Sequence, residues 1–281
     1  MKSPKLLIVS LLLFGALSCK KSNIPAQTAP VVSNVGAANI IAGSLLYGSG
    51  GVASTFEDAT DVAGSLSLNI NSTSVAHVRS KNTNLSFKNS ANAVQQLRCG
   101  TTYPDSVFRQ GEVGSADIYT YNSIYNFTLN CNNSVPDNVT GSSIFWGNYI
   151  GVYALATDTG SSSFTVAGLP PTDTALTFSG TYKRSGSFIS AIDTSSHGIY
   201  NITMSVSAIS YLKPSYTQLT GLEFKGGTAT IAITGNVPKK GAFSYIGTLV
   251  FSPRDNGTAT LTLAGTAYII NLTTGIIALK I

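Results

Sequence analysis

From Ile118 to Cys131 the chain alternates in steps of two. Tyr119, Tyr121, Ser123, Tyr125, Phe127, Leu129 and Cys131 fall on one side, and Thr120, Asn122, Asn126, Thr128 and Asn130 on the other, with Ile118 and Ile124 among them. One apolar face and one face of amides and hydroxyls predict a half-buried strand, long enough to bend or bulge near Ser123. The same period recurs in Tyr200, Ile202, Met204, Val206 and Ala208, and in Phe243, Tyr245, Gly247, Leu249 and Phe251. Segments 174–182 and 187–192 predict a hairpin that turns across Lys183-Arg184-Ser185-Gly186. Gly227–Gly235 and Gly257–Gly265 repeat one glycine-bracketed pattern, which predicts equivalent strands of successive hairpins rather than a solenoid. The last hairpin is expected over 258–263 and 267–272, with a final strand over 276–280. The region from about residue 110 onward therefore reads as antiparallel β, either a large sandwich or a strongly curved meander.

Helix signals are confined to the first third. Ser54-Thr55-Phe56-Glu57 fits a capping box opening one or two turns to Asp61, and residues 89–98 fit a short helix. Segments 66–70 and 84–87 read equally as early strands of the same sheet. Residues 39–281 are expected to form the antiparallel β domain, with 39–117 either a smaller α+β subregion or early strands of the same sheet, and no boundary placed inside it.

Composition sharpens this picture. Charged residues make up only 10% of the chain, well under the roughly 25% of ordinary soluble domains, while 36 Ser, 31 Thr and 20 Asn supply most of the polarity. The surface must then be built from hydroxyls and amides. Apolar content of 43% is too high for a disordered chain, and the single or paired Lys and Arg residues form no phosphate-tracking run, so nucleic acid is not an expected partner.

The N-terminus reads as an export signal. Lys2 and Lys5 precede an apolar run from Leu6 to Ala16 that ends in small residues before Cys19, within the about 7 to 15 residues of a secretory h-region. It is shorter than the about 20 residues a membrane span needs. Ala16-Leu17-Ser18-Cys19 resembles the lipobox of bacterial lipoproteins, and the Ser-Cys-Lys-Lys junction is similar to those of Bacteroidota cell-envelope lipoproteins. The resemblance implies removal of residues 1–18 and a Cys19 carrying a thioether-linked diacylglycerol and an acylated amine. It further implies anchoring at a membrane of the envelope, the outer membrane first among them, with residues 19–38 as a tether. Removing residues 1–18 takes away Lys2 and Lys5 and lowers the formal charge from +5 to +3.

With Cys19 lipidated, Cys99 and Cys131 remain as a pair in an oxidising compartment, where a disulfide is expected; two free buried thiols are the competing reading. Chemistry of other kinds finds little support. His77 and His197 stand 120 positions apart without partners at metal-ligand spacing, so no metal site or cofactor is expected. Thr194-Ser195-Ser196-His197 reads as a polar turn, and the dispersed acids, Asp58 and Asp158 among them, read as helix-start or turn residues. No catalytic residue is assigned. Trp146, Tyr149 and Tyr153 are the candidate ligand contacts: Trp146 stands in opposite pleat phase to the two tyrosines, and an exposed sugar-stacking ring competes with a buried or edge-packed one. Ser106 and Thr174 each follow an Asp, as in the O-glycosylation motif of the envelope proteins that this N-terminus resembles.

The expected function is that of a lipid-anchored, non-enzymatic binding or structural module with a glycan or another envelope protein as partner. A carbohydrate-binding or carbohydrate-processing accessory protein and a periplasmic carrier of an apolar ligand are the alternatives. Mass spectrometry of the mature N-terminus should find acylated Cys19 as the first residue. An unmodified Cys19, or cleavage elsewhere, contradicts the lipobox reading.

Overall fold

A computed structural model describes residues 31–46, 50–68, 98–113, 117–151, 154–170, 172–190, 197–212, 224–251 and 257–280. Residues 1–30 lie outside it, so the signal, Cys19 and most of the tether are not described, and neither are the expected elements over 84–87 and 89–97. Among the described residues, two helices, α1 (Asn34–Leu45) and α2 (Val52–Leu68), precede eleven strands. These are β1 (Thr102–Val113), β2 (Asp117–Asn132), β3 (Val135–Ile150), β4 (Ala154–Ala167), β5 (Ala175–Ser190), β6 (His197–Leu212), β7 (Phe224–Val237), β8 (Gly241–Phe251), β9 (Thr258–Leu263), β10 (Thr266–Asn271) and β11 (Ile277–Leu279). Every strand pairs with its neighbours in chain order, giving one antiparallel meander of eleven strands. The fold is all-β with two short helices. It takes the curved-meander form, not that of a sandwich.

A single sheet with one apolar face must cover that face. Here the cover comes from the N-terminal helices. Ser33 caps α1 by accepting from the Gly36 N–H at 3.1 Å, and Ala37, Ala38, Ile40, Ile41, Ala42 and Leu45 are all buried. A helix apolar around most of its circumference belongs inside. On α2, Phe56 meets Phe178 of β5 at 4.3 Å between ring centroids and Phe251 of β8 at 6.1 Å. One side chain thus touches strands three places apart in the sheet. Farther round, Gly275, with φ of +70°, is pressed against Leu46 and the Tyr149 hydroxyl, so the β10–β11 connection meets β3 across the helices. The sheet curls around the helix pair.

Small residues on the concave face make that curvature sterically feasible. A Cβ at Gly160 would lie 2.0 Å from the Phe145 ring, so glycine on β4 provides the slot for an aromatic ring from β3. Register shifts at Asn130/Cys131, Phe178/Gly180, Val206/Ala208 and Ser210/Tyr211 add local bends.

Several expectations change. α1 begins at Asn34, inside the expected tether. Ser54 does not cap a helix; it lies within α2 and its hydroxyl donates to the Leu46 carbonyl at 3.3 Å. Residues 66–68 are helical, not strand. β2 bulges at its far end instead of at Ser123. The expected turn at Lys183–Gly186 is absent, because β5 runs straight through it. The repeat does mark equivalent strands, β7 and β9, and the β9–β10 hairpin lies where the pattern placed it.

Cys99 and Cys131 form a disulfide, with Cα atoms 5.5 Å apart and a sequence separation of 32. It ties the segment entering β1 to the end of β2, and closing a loop of this size contributes about 3–4 kcal/mol on the chain-entropy account.

Candidate functional site

The two faces of the sheet carry different chemistry. The concave face holds two buried ion pairs, although the sequence pattern puts Arg184, Asp158 and Asp58 in turns or at a helix start. Arg184 of β5 donates to Asp158 of β4 at 2.7 Å, with both side chains essentially inaccessible. Asp158 also accepts from the Tyr121 hydroxyl at 3.0 Å and from the Tyr200 hydroxyl at 2.8 Å. The guanidinium lies 5.2 Å above the Tyr121 ring centroid and 5.7 Å above that of Phe145, adding cation–π attraction. Its other nitrogen reaches Tyr182 at 3.4 Å, and Tyr182 in turn donates to the Gly50 carbonyl at 3.3 Å, just ahead of α2. A second pair, Arg109 of β1 with Asp58 of α2, fastens the helix to the first strand.

Electrostatics follow from the geometry. Burial by itself disfavours the Arg184 charge, but Asp158 and the surrounding tyrosines outweigh it and hold the guanidinium well above its usual range. Burial likewise raises the hydroxyls of Tyr121, Tyr125 and Tyr200, and pushes Tyr182 up to about 12. These groups stay protonated and neutral across the physiological range. They serve as fixed donors, and their role is to set register and hold the helices.

The convex face is the accessible one. Phe108 stands opposite Asn122, and Asn122 opposite Trp146, in one cross-strand row over β1, β2 and β3. Phe108 is 46% exposed and Trp146 42%. Ile124 and Ile144, also opposite one another and exposed, extend the apolar area one row along. The row then continues through Thr159, Ser185, Asn201, Thr234 and Ser244 on β4 to β8, all exposed. Two aromatic rings about 10 Å apart, an amide between them, and a track of uncharged hydrogen-bonding groups about 20 Å long make one surface. Neighbouring rows are knitted by side-chain hydrogen bonds such as Ser163 to Thr181 at 2.9 Å and Thr157 to Asn148 at 2.8 Å.

Of the expected contacts, Trp146 is on this surface. Tyr149 is not: the pleat turns it to the concave face, where it is 8% exposed, so the two cannot share a platform. Tyr153 lies outside the described residues. Phe108 takes the second aromatic place, which the pattern of β1 alone did not reveal. Ser106 and Thr174 are both exposed. His197 begins β6 at the surface, and among the described residues no three His, Cys, Asp or Glu side chains gather as a metal site.

Comparison with protein families, with characterised proteins and with solved structures gave no match.

Asp158→Asn should lower the unfolding free energy by about 3–5 kcal/mol in urea titrations, because it leaves Arg184 buried without its counter-charge. Asp158→Leu combined with Arg184→Met should recover most of that loss. A raised Tyr182 value means that its contribution is complete below about pH 10 and disappears as pH rises through about 12, so stability should fall across that window.

Proposed function

We propose that this protein is a lipid-anchored, non-enzymatic module of the cell envelope that binds a neutral glycan strand along the convex row from Phe108 to Ser244. The observation that carries this reading is the pairing of two exposed aromatic rings with a long uncharged track of hydroxyls and amides. Sugar rings offer apolar faces for stacking and hydroxyls for hydrogen bonding, and a row without carboxylates or ammonium groups suits a ligand without charge. The carrier alternative is less well supported, since the concave face is taken up by α1, α2 and packed aromatic rings. An accessory role in carbohydrate processing fits the same surface. The disposition of the acids favours binding over catalysis: Asp158 and Asp58 are each committed to a buried arginine, whereas glycosidic cleavage needs two carboxyl groups facing one sugar.

Trp146→Ala and Phe108→Ala should each weaken binding of the neutral polysaccharide recovered from a glycan array by about 1–2 kcal/mol, roughly 5- to 30-fold in Kd. The thermal midpoint should barely move, because both rings lie on the exposed face. A large fall in the midpoint with glycan affinity intact would assign both rings to packing.

A further inference from the structure

One end of the convex face differs from the rest. Ile118, Ile150, Leu155 and Ile189 stand directly opposite one another across β2, β3, β4 and β5, forming a single aliphatic row. Their exposures are 47%, 42%, 39% and 44%; other exposed aliphatics on this face, such as Ile124 with Ile144, Ile199 and Ile246, form no row across four strands. Four large aliphatic side chains held side by side in water mark a surface with an apolar partner.

The path of the chain says which partner. The row lies at the end of the sheet where β3 finishes, β4 begins and β5 finishes; His197, opposite Ile189, opens β6 there, and the β7–β8 turn closes the same end. Val31 comes within 3.8 Å of a Cβ position at Gly241, the first residue of β8, and the Tyr245 hydroxyl donates to the Val32 carbonyl. The N-terminal segment therefore joins the fold at this end. Only twelve positions separate Cys19 from Val31. Fully extended, they reach at most about 40 Å. An acylated Cys19 would keep the bilayer within that reach of this end.

We propose that the row Ile118–Ile150–Leu155–Ile189 is a membrane-contact rim that settles into the interfacial layer of a phospholipid bilayer. The inference rests on the lipid-anchored reading above. The attraction is apolar in kind, because the row itself consists of four exposed aliphatic side chains and carries no charge. Docking the rim leaves the row through Trp146 clear of the membrane, since Trp146 stands four residues back from Ile150 along β3, about 13 Å away.

The test uses the mature chain with Cys19→Ala, which removes the lipid, in flotation with vesicles of phosphatidylcholine alone and of phosphatidylethanolamine mixed with phosphatidylglycerol. The anchor-free chain should float with both, with little dependence on salt. Ile150→Thr, Leu155→Thr and Ile189→Thr together should lower the partition coefficient by about tenfold or more while leaving the circular dichroism spectrum unchanged. As a second readout that spares the fold, Leu155→Trp in a Trp146→Phe background should be quenched by brominated phospholipid. Absence of flotation, equal flotation of the triple variant, or a row buried in a dimer that the triple variant dissolves would each overturn the rim. Lipidation is decided separately by the mass of the native N-terminus, so an unmodified Cys19 defeats the anchor without altering the flotation result.

Discussion

A sheet eleven strands wide with one apolar face cannot stand alone in water, and everything else in this molecule follows from how that face is covered. The cover is a pair of helices from the N-terminal side of the sheet, enclosed as the meander curls. Phe56 bridges β5 to β8, and Leu46 sits against Gly275. Apolar burial supplies the driving force, but such contacts are non-directional and would tolerate helices sliding within the curve. Direction comes from the two buried ion pairs. Asp58–Arg109 joins α2 to β1, and the Asp158–Arg184–Tyr182–Gly50 chain joins the middle of the sheet to the start of α2.

With the concave face committed to packing, contact with other molecules is left to the convex face. Its chemistry divides along the strands. The central row offers aromatic rings followed by hydroxyls and amides, suited to a neutral polyhydroxylated ligand, while the row at the N-terminal attachment end is aliphatic and suited to lipid. Both rows run across the strands, perpendicular to the chain, and each is assembled from residues far apart in sequence. A one-residue slip in any hairpin would turn its contribution inward. The buried ion pairs thus protect the outer surface indirectly, by fixing register.

Much of the sheet was legible because period-two alternation survives in β2, β6, β8 and the β9–β10 hairpin. The absent turn at Lys183–Gly186 and the buried ion pair share one physical cause. Charged residues were assigned to turns, yet Arg184 is in phase with Tyr182 and Phe188, and Asp158 with Phe164 and Val166, which places them on the inward face. A charge in the apolar phase of a strand, in a chain with so few charges, was the available signal. The helices were harder to read: α1, built of Ala, Gly, Asn, Ile, Val, Ser and Leu, has no amphipathic stripe, because nearly all of its circumference is buried. The surface rows were illegible for a different reason, since cross-strand neighbours such as Phe108, Asn122 and Trp146 are set by register rather than by sequence proximity.

On this architecture the helix pair and the sheet form one cooperative core. Native-state amide hydrogen exchange measures this directly. Amides of α1 and the first part of α2 should exchange only through global unfolding, with the same opening free energy as those of β5 around Tyr182 and Arg184. Rapid exchange of the helices while β5 remains protected would show that they open independently, and would contradict the claim.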